Sequence, residues 1–194
     1  MTWYQLLLTF AALIFFLGIY FIIPTVYIGI RLMLGHHITN TMRENEEYKR
    51  GIELVDQERY QEALRFFDAV LSHHPKSAVA WAHKAWCNFA MDNLHEAMYN
   101  CDKAINYDYS LSDCYLIKGK ALFALEEYQL AHEEFAKAVW HFKDKAVPYR
   151  LKGRCNYHLG NYDEAKVDFQ RAIRYHDEDA NYLLHKMENE QDAF

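Results

Sequence analysis

Hydrophobic and polar positions follow two different regimes along this chain. From Leu6 to Ile23 it reads LLLTFAALIFFLGIYFII, an apolar run without a charge, an Asn or a Gln. Beyond residue 44 the pattern changes to a recurrence with a step of 34 residues. Small residues fall in phase at Gly51, Ala85, Gly119 and Gly153, and again at Ala63, Ala97, Ala131 and Ala165. Phe67, Cys101, Phe135 and Phe169 keep the same step, as do Val70, Ala104, Ala138 and Ala172, and Trp81, Tyr115 and Tyr149 continue it. The first regime predicts a membrane-spanning helix. The second predicts an array of like units that stack on one another.

The columns of the array resemble the tetratricopeptide repeat family, whose unit is a 34-residue helix-turn-helix with W-x2-L-G-x2-Y followed by A-x3-F. The fourth unit carries the resemblance most fully, in YRLKGRCNYHLGNYDEAKVDFQRAI. The implied fold is all-α: a right-handed superhelical solenoid of four helix-turn-helix repeats and a C-terminal capping helix, behind one transmembrane helix. The units are expected at 44–77, 78–111, 112–145 and 146–179. Residues 1–34 form the anchor, 35–43 a polar link, and 180–194 a capping helix with an acidic tail. Small residues such as Gly51 and Gly119 let paired helices approach closely, and Phe67 and Phe135 fill the gap to the next helix. Ser77, Ser112 and Asp144 are candidate helix caps, and Gly160-Asn161 marks a turn. The second unit departs from the pattern, with Ala85 for Gly and Cys101 for Phe.

In the apolar run, thirteen of the residues from Leu6 to Ile23 are Leu, Ile or Phe. At about −0.3 to −0.6 kcal/mol each on the insertion scale, they suffice to insert the segment. Trp3, Tyr4 and Tyr27 flank it as interfacial aromatics do. Residues 5–27 are therefore expected to meet the lipid bilayer as an uncleaved anchor. The first basic residue is Arg31, followed by Arg43, Lys49 and Arg50. The positive-inside rule then gives a single-pass protein with its repeats on the cytoplasmic side. The four cysteines, Cys87, Cys101, Cys114 and Cys155, show no metal or redox spacing and read as buried thiols.

The resemblance also implies a groove lined by the first helix of each unit. By that analogy the partner-binding positions are Tyr48, His83, Trp86, Phe89, Leu116, Ile117, Lys120, Phe123, Arg150, Arg154 and Tyr157. The floor is apolar and aromatic, and the C-terminal side is basic. Such a groove suits a helix or extended segment with acidic residues at one end. The family's carboxylate clamp for chaperone tails uses Lys, Asn, Asn, Lys and Arg. The matching positions here are Tyr48, Ile52, His83, Asp113 and Ile117, or Ala82, Trp86, Ile117, Val147 and Leu151 one unit on, and neither set fits.

Charge sharpens this picture. The chain carries a net charge of −6, of which residues 177–194 hold −5 and the remainder −1. The basic residues lack the density that nucleic-acid binding requires. Eleven histidines raise the question of a metal, yet His36-His37 and His73-His74 are adjacent pairs whose side chains diverge on a helix. HExxH, GxGxxG, phosphate-loop and GxSxG motifs are all missing from the sequence. The expected function is a non-enzymatic, membrane-tethered scaffold or adaptor, with no cofactor and no metal. Its groove would hold a protein partner of a membrane-associated complex. The alternative is a self-associating, homo-oligomeric subunit of a membrane assembly, with the acidic tail or a second copy in the groove.

Overall fold

The computed structural model describes residues 47–191 together with Trp3, Tyr4 and Val26. The chain separates into two compact units, residues 1–43 and 44–194. Of the first unit, Trp3, Tyr4 and Val26 are described, each helical and exposed.

The second unit is all-α among its described residues. Its helices are α1 (Lys49–Asp56), α2 (Tyr60–His73), α3 (Ala78–Ala90), α4 (Leu94–Tyr107), α5 (Ser112–Ala124), α6 (Tyr128–His141), α7 (Ala146–His158), α8 (Tyr162–Arg174) and α9 (Glu178–Gln191). Each helix packs on the next along the chain. The short turns between α1 and α2, α3 and α4, α5 and α6, and α7 and α8 solve one problem in one way. Glu58, Asp92, Glu126 and Gly160 stand 34 residues apart, and each takes a left-handed backbone with φ of 60°, 63°, 62° and 77°. Glycine occupies this place only in the last turn, so three side chains bear a strain that glycine escapes.

Packing explains the small-residue columns. A Cβ at Gly119 would sit 2.6 Å from Cε1 of Phe135, and one at Gly153 would sit 2.9 Å from Cε1 of Phe169. Both rings are fully buried, so these helix pairs close only over glycine. The second pair uses Ala85 opposite Cys101, both at 0 % exposure in one core cluster. The loss of the ring makes room for the methyl group.

A lysine ladder with the same step links neighbouring helices within and between the pairs. Lys84, Lys118 and Lys152 recur with the same 34-residue step. Lys84 reaches Asp68 on α2 at 2.5 Å. Lys118 bridges Asp102 on α4 at 2.8 Å and Glu134 on α6 at 3.3 Å. Lys152 meets the buried Asp168 at 2.9 Å, and Asn156 donates to the same oxygen at 3.0 Å. Aromatic donors close the loops between pairs, where Trp81 donates to the carbonyl of Pro75 and Tyr149 to that of Lys143.

Ser77 caps α3 by accepting from the Ala80 amide at 3.2 Å. Ser112 is the first residue of its helix and Asp144 precedes the Lys145 cap position, so neither caps as expected. Asp177 caps α9 instead, accepting from the Ala180 amide at 2.8 Å. That helix covers the end of the array. Ala180, Leu184 and Met187 are buried against Tyr149, Phe169 and Ala172.

The membrane readings require correction. Among the described residues, no helix is long and apolar enough to cross a membrane. The longest described helices have 14 residues, which is about 21 Å against a hydrocarbon core of about 30 Å. They also carry charges on their outer faces. Residues 5–27, on which the anchor was read, lie outside the described residues except for Val26. The transmembrane helix, the lipid contact, the single-pass localisation with cytoplasmic repeats and the membrane-tethered scaffold thus find no support among the described residues. The supported architecture is an all-α superhelical solenoid.

Candidate functional site

The first helices of the pairs do not stack uniformly. The backbones of α3 and α5 approach more closely than those of α5 and α7, and the latter two helices meet through side chains, Phe123 against Arg154 and His158. A cleft of about 350 Å³ opens there. Lys120 and Phe123 enter it from α5, Phe135 from α6, and Val147, Arg150, Leu151 and Arg154 from α7. Four of the residues expected in a groove, Lys120, Phe123, Arg150 and Arg154, thus share one site. Val147 and Leu151 give the cleft an apolar wall. Helical spacing explains the wall, since positions 147, 151 and 154 lie on the same face of α7 as Arg150.

The three cations are not equivalent. Nε of Arg150 is 2.9 Å from Asp177 and a terminal nitrogen is 3.3 Å from Asp179, so this guanidinium is bound to the cap helix. Arg154 lies over the ring of Phe123, with Cζ 4.6 Å from its centroid, a cation–π arrangement. Lys120 is partly buried, and its ammonium is pushed below its ordinary pKa, first by desolvation and then by Arg150. Among the described residues neither Lys120 nor Arg154 stands in an ion pair. The cleft thus offers two cations beside an apolar wall.

An aromatic cluster borders it. His158 stacks on Tyr128 at 4.4 Å and meets Phe123 edge-on at 5.2 Å. Burial and then Arg154 hold its imidazole below the usual pKa. Tyr157 packs in the cluster that contains Tyr149 and Phe169 and meets Tyr162 edge-on.

The remaining expected residues lie elsewhere. Tyr48 and Ile117, both 4 % exposed, are core residues rather than groove surface. His83 stacks on Phe67 with centroids 5.0 Å apart, and desolvation lowers its pKa. Phe89 and Leu116 pack on two successive core clusters. Trp86 keeps 40 % exposure and leans on Phe89 at 6.5 Å. The four cysteines are buried thiols. Desolvation raises Cys87 to about 11 and Cys155 to about 12. Among the described residues no group of three or more His, Cys, Asp or Glu side chains is placed to hold a metal.

Tetratricopeptide-repeat family models match residues 54–99 and 151–179. The helical array is tetratricopeptide-like. A 91-residue stretch is 28% identical to the Hsp70-Hsp90 organizing protein of Triticum aestivum, covering 47% of this chain and 16% of that protein. An 85-residue stretch is 33% identical to the protein SGT1 homolog of Oryza sativa subsp. japonica, covering 44% of this chain and 23% of that protein. The chain therefore spans a small part of these relatives. Among solved structures, MamA residues 41 to the end from Desulfovibrio magneticus RS-1 superimposes with a TM-score of 0.69 at 15% identity, over 80% of this chain and 88% of that one. YrrB, described as a TPR protein with an unusual peptide-binding site, gives 0.65 at 21% identity, over 79% and 84%. The first TPR of Spaghetti (RPAP3), bound to the HSP90 peptide SRMEEVD, gives 0.56 at 20% identity, over 59% and 93%. These likenesses establish the shared fold.

Proposed function

We propose that this chain is a protein-interaction module that binds a partner segment in the cleft between α5 and α7. The observation that carries the reading is the pairing of Lys120 and Arg154 with an apolar wall of Val147, Leu151 and Phe123. A segment that places a carboxylate beside an apolar side chain satisfies both halves. The carboxylate meets cations whose hydration is already partly removed, which strengthens the contact. Protein segments of this kind are what the likeness to YrrB and to the peptide-bound Spaghetti repeat suggests. The clamp positions for chaperone tails hold Tyr48, Ile52, His83, Asp113 and Ile117, so a different carboxylate geometry is called for.

Self-association through the same cleft is a second reading. It is favoured by the charge division of the chain, whose net −6 resides almost wholly in residues 177–194.

Selection from a displayed random-peptide library tests the module reading. The full chain should enrich segments with an acidic residue next to a bulky apolar one, and an Arg154→Glu, Lys120→Glu variant of equal helix content should lose that enrichment. Equal enrichment by both chains would remove the cleft from consideration.

A further inference from the structure

On the premise of the cleft reading, we infer that the cap helix restrains the cleft: Asp177 occupies Arg150, and a carboxylate that enters the cleft gains affinity when Asp177 lets Arg150 go. Arg150 belongs to both places. It lines the cleft with Lys120 and Arg154, and its Nε donates to Asp177 at 2.9 Å. Asp177 serves two partners with its two oxygens. Oδ1 accepts from the Ala180 amide at 2.8 Å and so starts α9, while Oδ2 takes Arg150. A terminal nitrogen of Arg150 is also 3.3 Å from Asp179. The two acids differ in weight. The side chain of Asp177 is 7 % exposed and that of Asp179 is 74 % exposed, so water screens the second contact and the first carries the tie.

Charge makes the cap helix and a cleft ligand opponents. A guanidinium paired with one carboxylate offers a second carboxylate little net charge, and the first repels the second. An acidic segment in the cleft therefore meets Lys120 and Arg154, which stand in no ion pair among the described residues, and gains a third cation when Asp177 releases it. The architecture lets α9 respond. This helix packs chiefly on α8 and much less on α7. Among the described residues, Arg150 is the side chain of α7 that ion-pairs with the start of α9. Ala180, Leu184 and Met187 keep the helix on the array through apolar burial, so release of Arg150 loosens α9 without shedding it. The coupling is reciprocal: the factor by which loss of the Asp177 contact favours the ligand is the factor by which the ligand favours opening of α9.

Asp177→Asn in the full chain separates the charge from the cap, because asparagine keeps an acceptor oxygen and starts helices as well as aspartate does. The displayed peptide library is selected against the unaltered chain and against this variant, both in a non-ionic detergent. The most enriched acidic peptide, labelled with fluorescein, is then titrated by anisotropy. Asp177→Asn should bind it about tenfold more tightly. In an Arg150→Gln background the same substitution should change affinity by less than about twofold, since no guanidinium remains to be released. Amide exchange of residues 178–191 in the unaltered chain should quicken by about tenfold when the peptide saturates the cleft. Equal or weaker binding by Asp177→Asn overturns the inference and leaves the module reading standing. A gain that persists without Arg150, or exchange that the peptide leaves unchanged, overturns it in the same way. Failure of both chains to enrich any acidic peptide overturns the module reading as well.

Discussion

Substituting Gly119 by alanine is the sharpest probe of how this array closes. The added Cβ would lie 2.6 and 2.7 Å from Cε1 and Cδ1 of Phe135. Carbon atoms in contact prefer about 3.5–4.0 Å, so the overlap is about 1 Å. Phe135 is at 0 % exposure, so its ring has no solvent-side escape. Overpacking of this kind costs about 1–3 kcal/mol, and the overlap argues for the upper end. Replacing a helical glycine by alanine returns about 1 kcal/mol of helix propensity. The net expectation is about 2 kcal/mol of destabilisation. The second pair of helices shows the natural remedy, since Ala85 there faces Cys101 in place of a phenylalanine. Phe135→Cys alone should cost about 3–5 kcal/mol for the lost ring. In that background Gly119→Ala should become neutral or stabilising by about 1 kcal/mol, because only the propensity gain remains. Urea unfolding of the four chains, followed by helical circular dichroism, yields a coupling energy of about 2–3 kcal/mol. A coupling below about 0.5 kcal/mol would refute the steric account, as contacts that do not conflict add independently.

Other expectations follow from the same coordinates. Glu126→Gly should raise stability by up to about 1 kcal/mol by relieving the left-handed backbone at φ 62°, and Gly160→Ala should lower it by about 1 kcal/mol. Thermal melts of the two variants give opposite signs if the turn is the cause. Arg150→Ala leaves Asp177, whose side chain is 7 % exposed, without its cation. It should weaken docking of α9 by about 3 kcal/mol, read as faster amide exchange confined to residues 178–191. For pH, His83 has its folded-state pKa lowered by burial from the ordinary 6.5. The unfolded chain therefore takes up the proton first as pH falls. The stability contribution of the neutral ring is complete above pH 6.5 and declines below it. Melting temperatures between pH 7.5 and 5.5 should fall, and His83→Gln should reduce that slope. An unchanged slope would locate the titration elsewhere, His132 and His158 being the other depressed histidines.

Lys120, Phe123, Arg150 and Arg154, expected on one face from their repeat positions, line one cleft. The details of that cleft were not legible in the sequence. Tyr48 and Ile117 occupy inward positions by family analogy, yet both are sealed in the core. Position in a repeat states which way a helix face turns, and the neighbouring helix decides whether that face remains open. Arg150 read as a cation for a partner, whereas Asp177 and Asp179 of the cap helix already hold it. That pairing spans 27 residues and carries no periodic signal. The apolar run of residues 6–23 gave the membrane expectation, and no described helix is long and apolar enough to cross a membrane.

By itself the sequence determined the repeat: its 34-residue step, the glycine and phenylalanine columns, and the departure from them at Ala85 and Cys101. These are local packing rules, and local rules recur in every unit. The tertiary structure decided where the stacking loosens. The backbones of α5 and α7 approach less closely than those of α3 and α5, side chains such as Phe123 and Arg154 bridge them, and the cleft between them gathers cations from both helices. No single repeat contains such a site, because it exists only in the space between two of them.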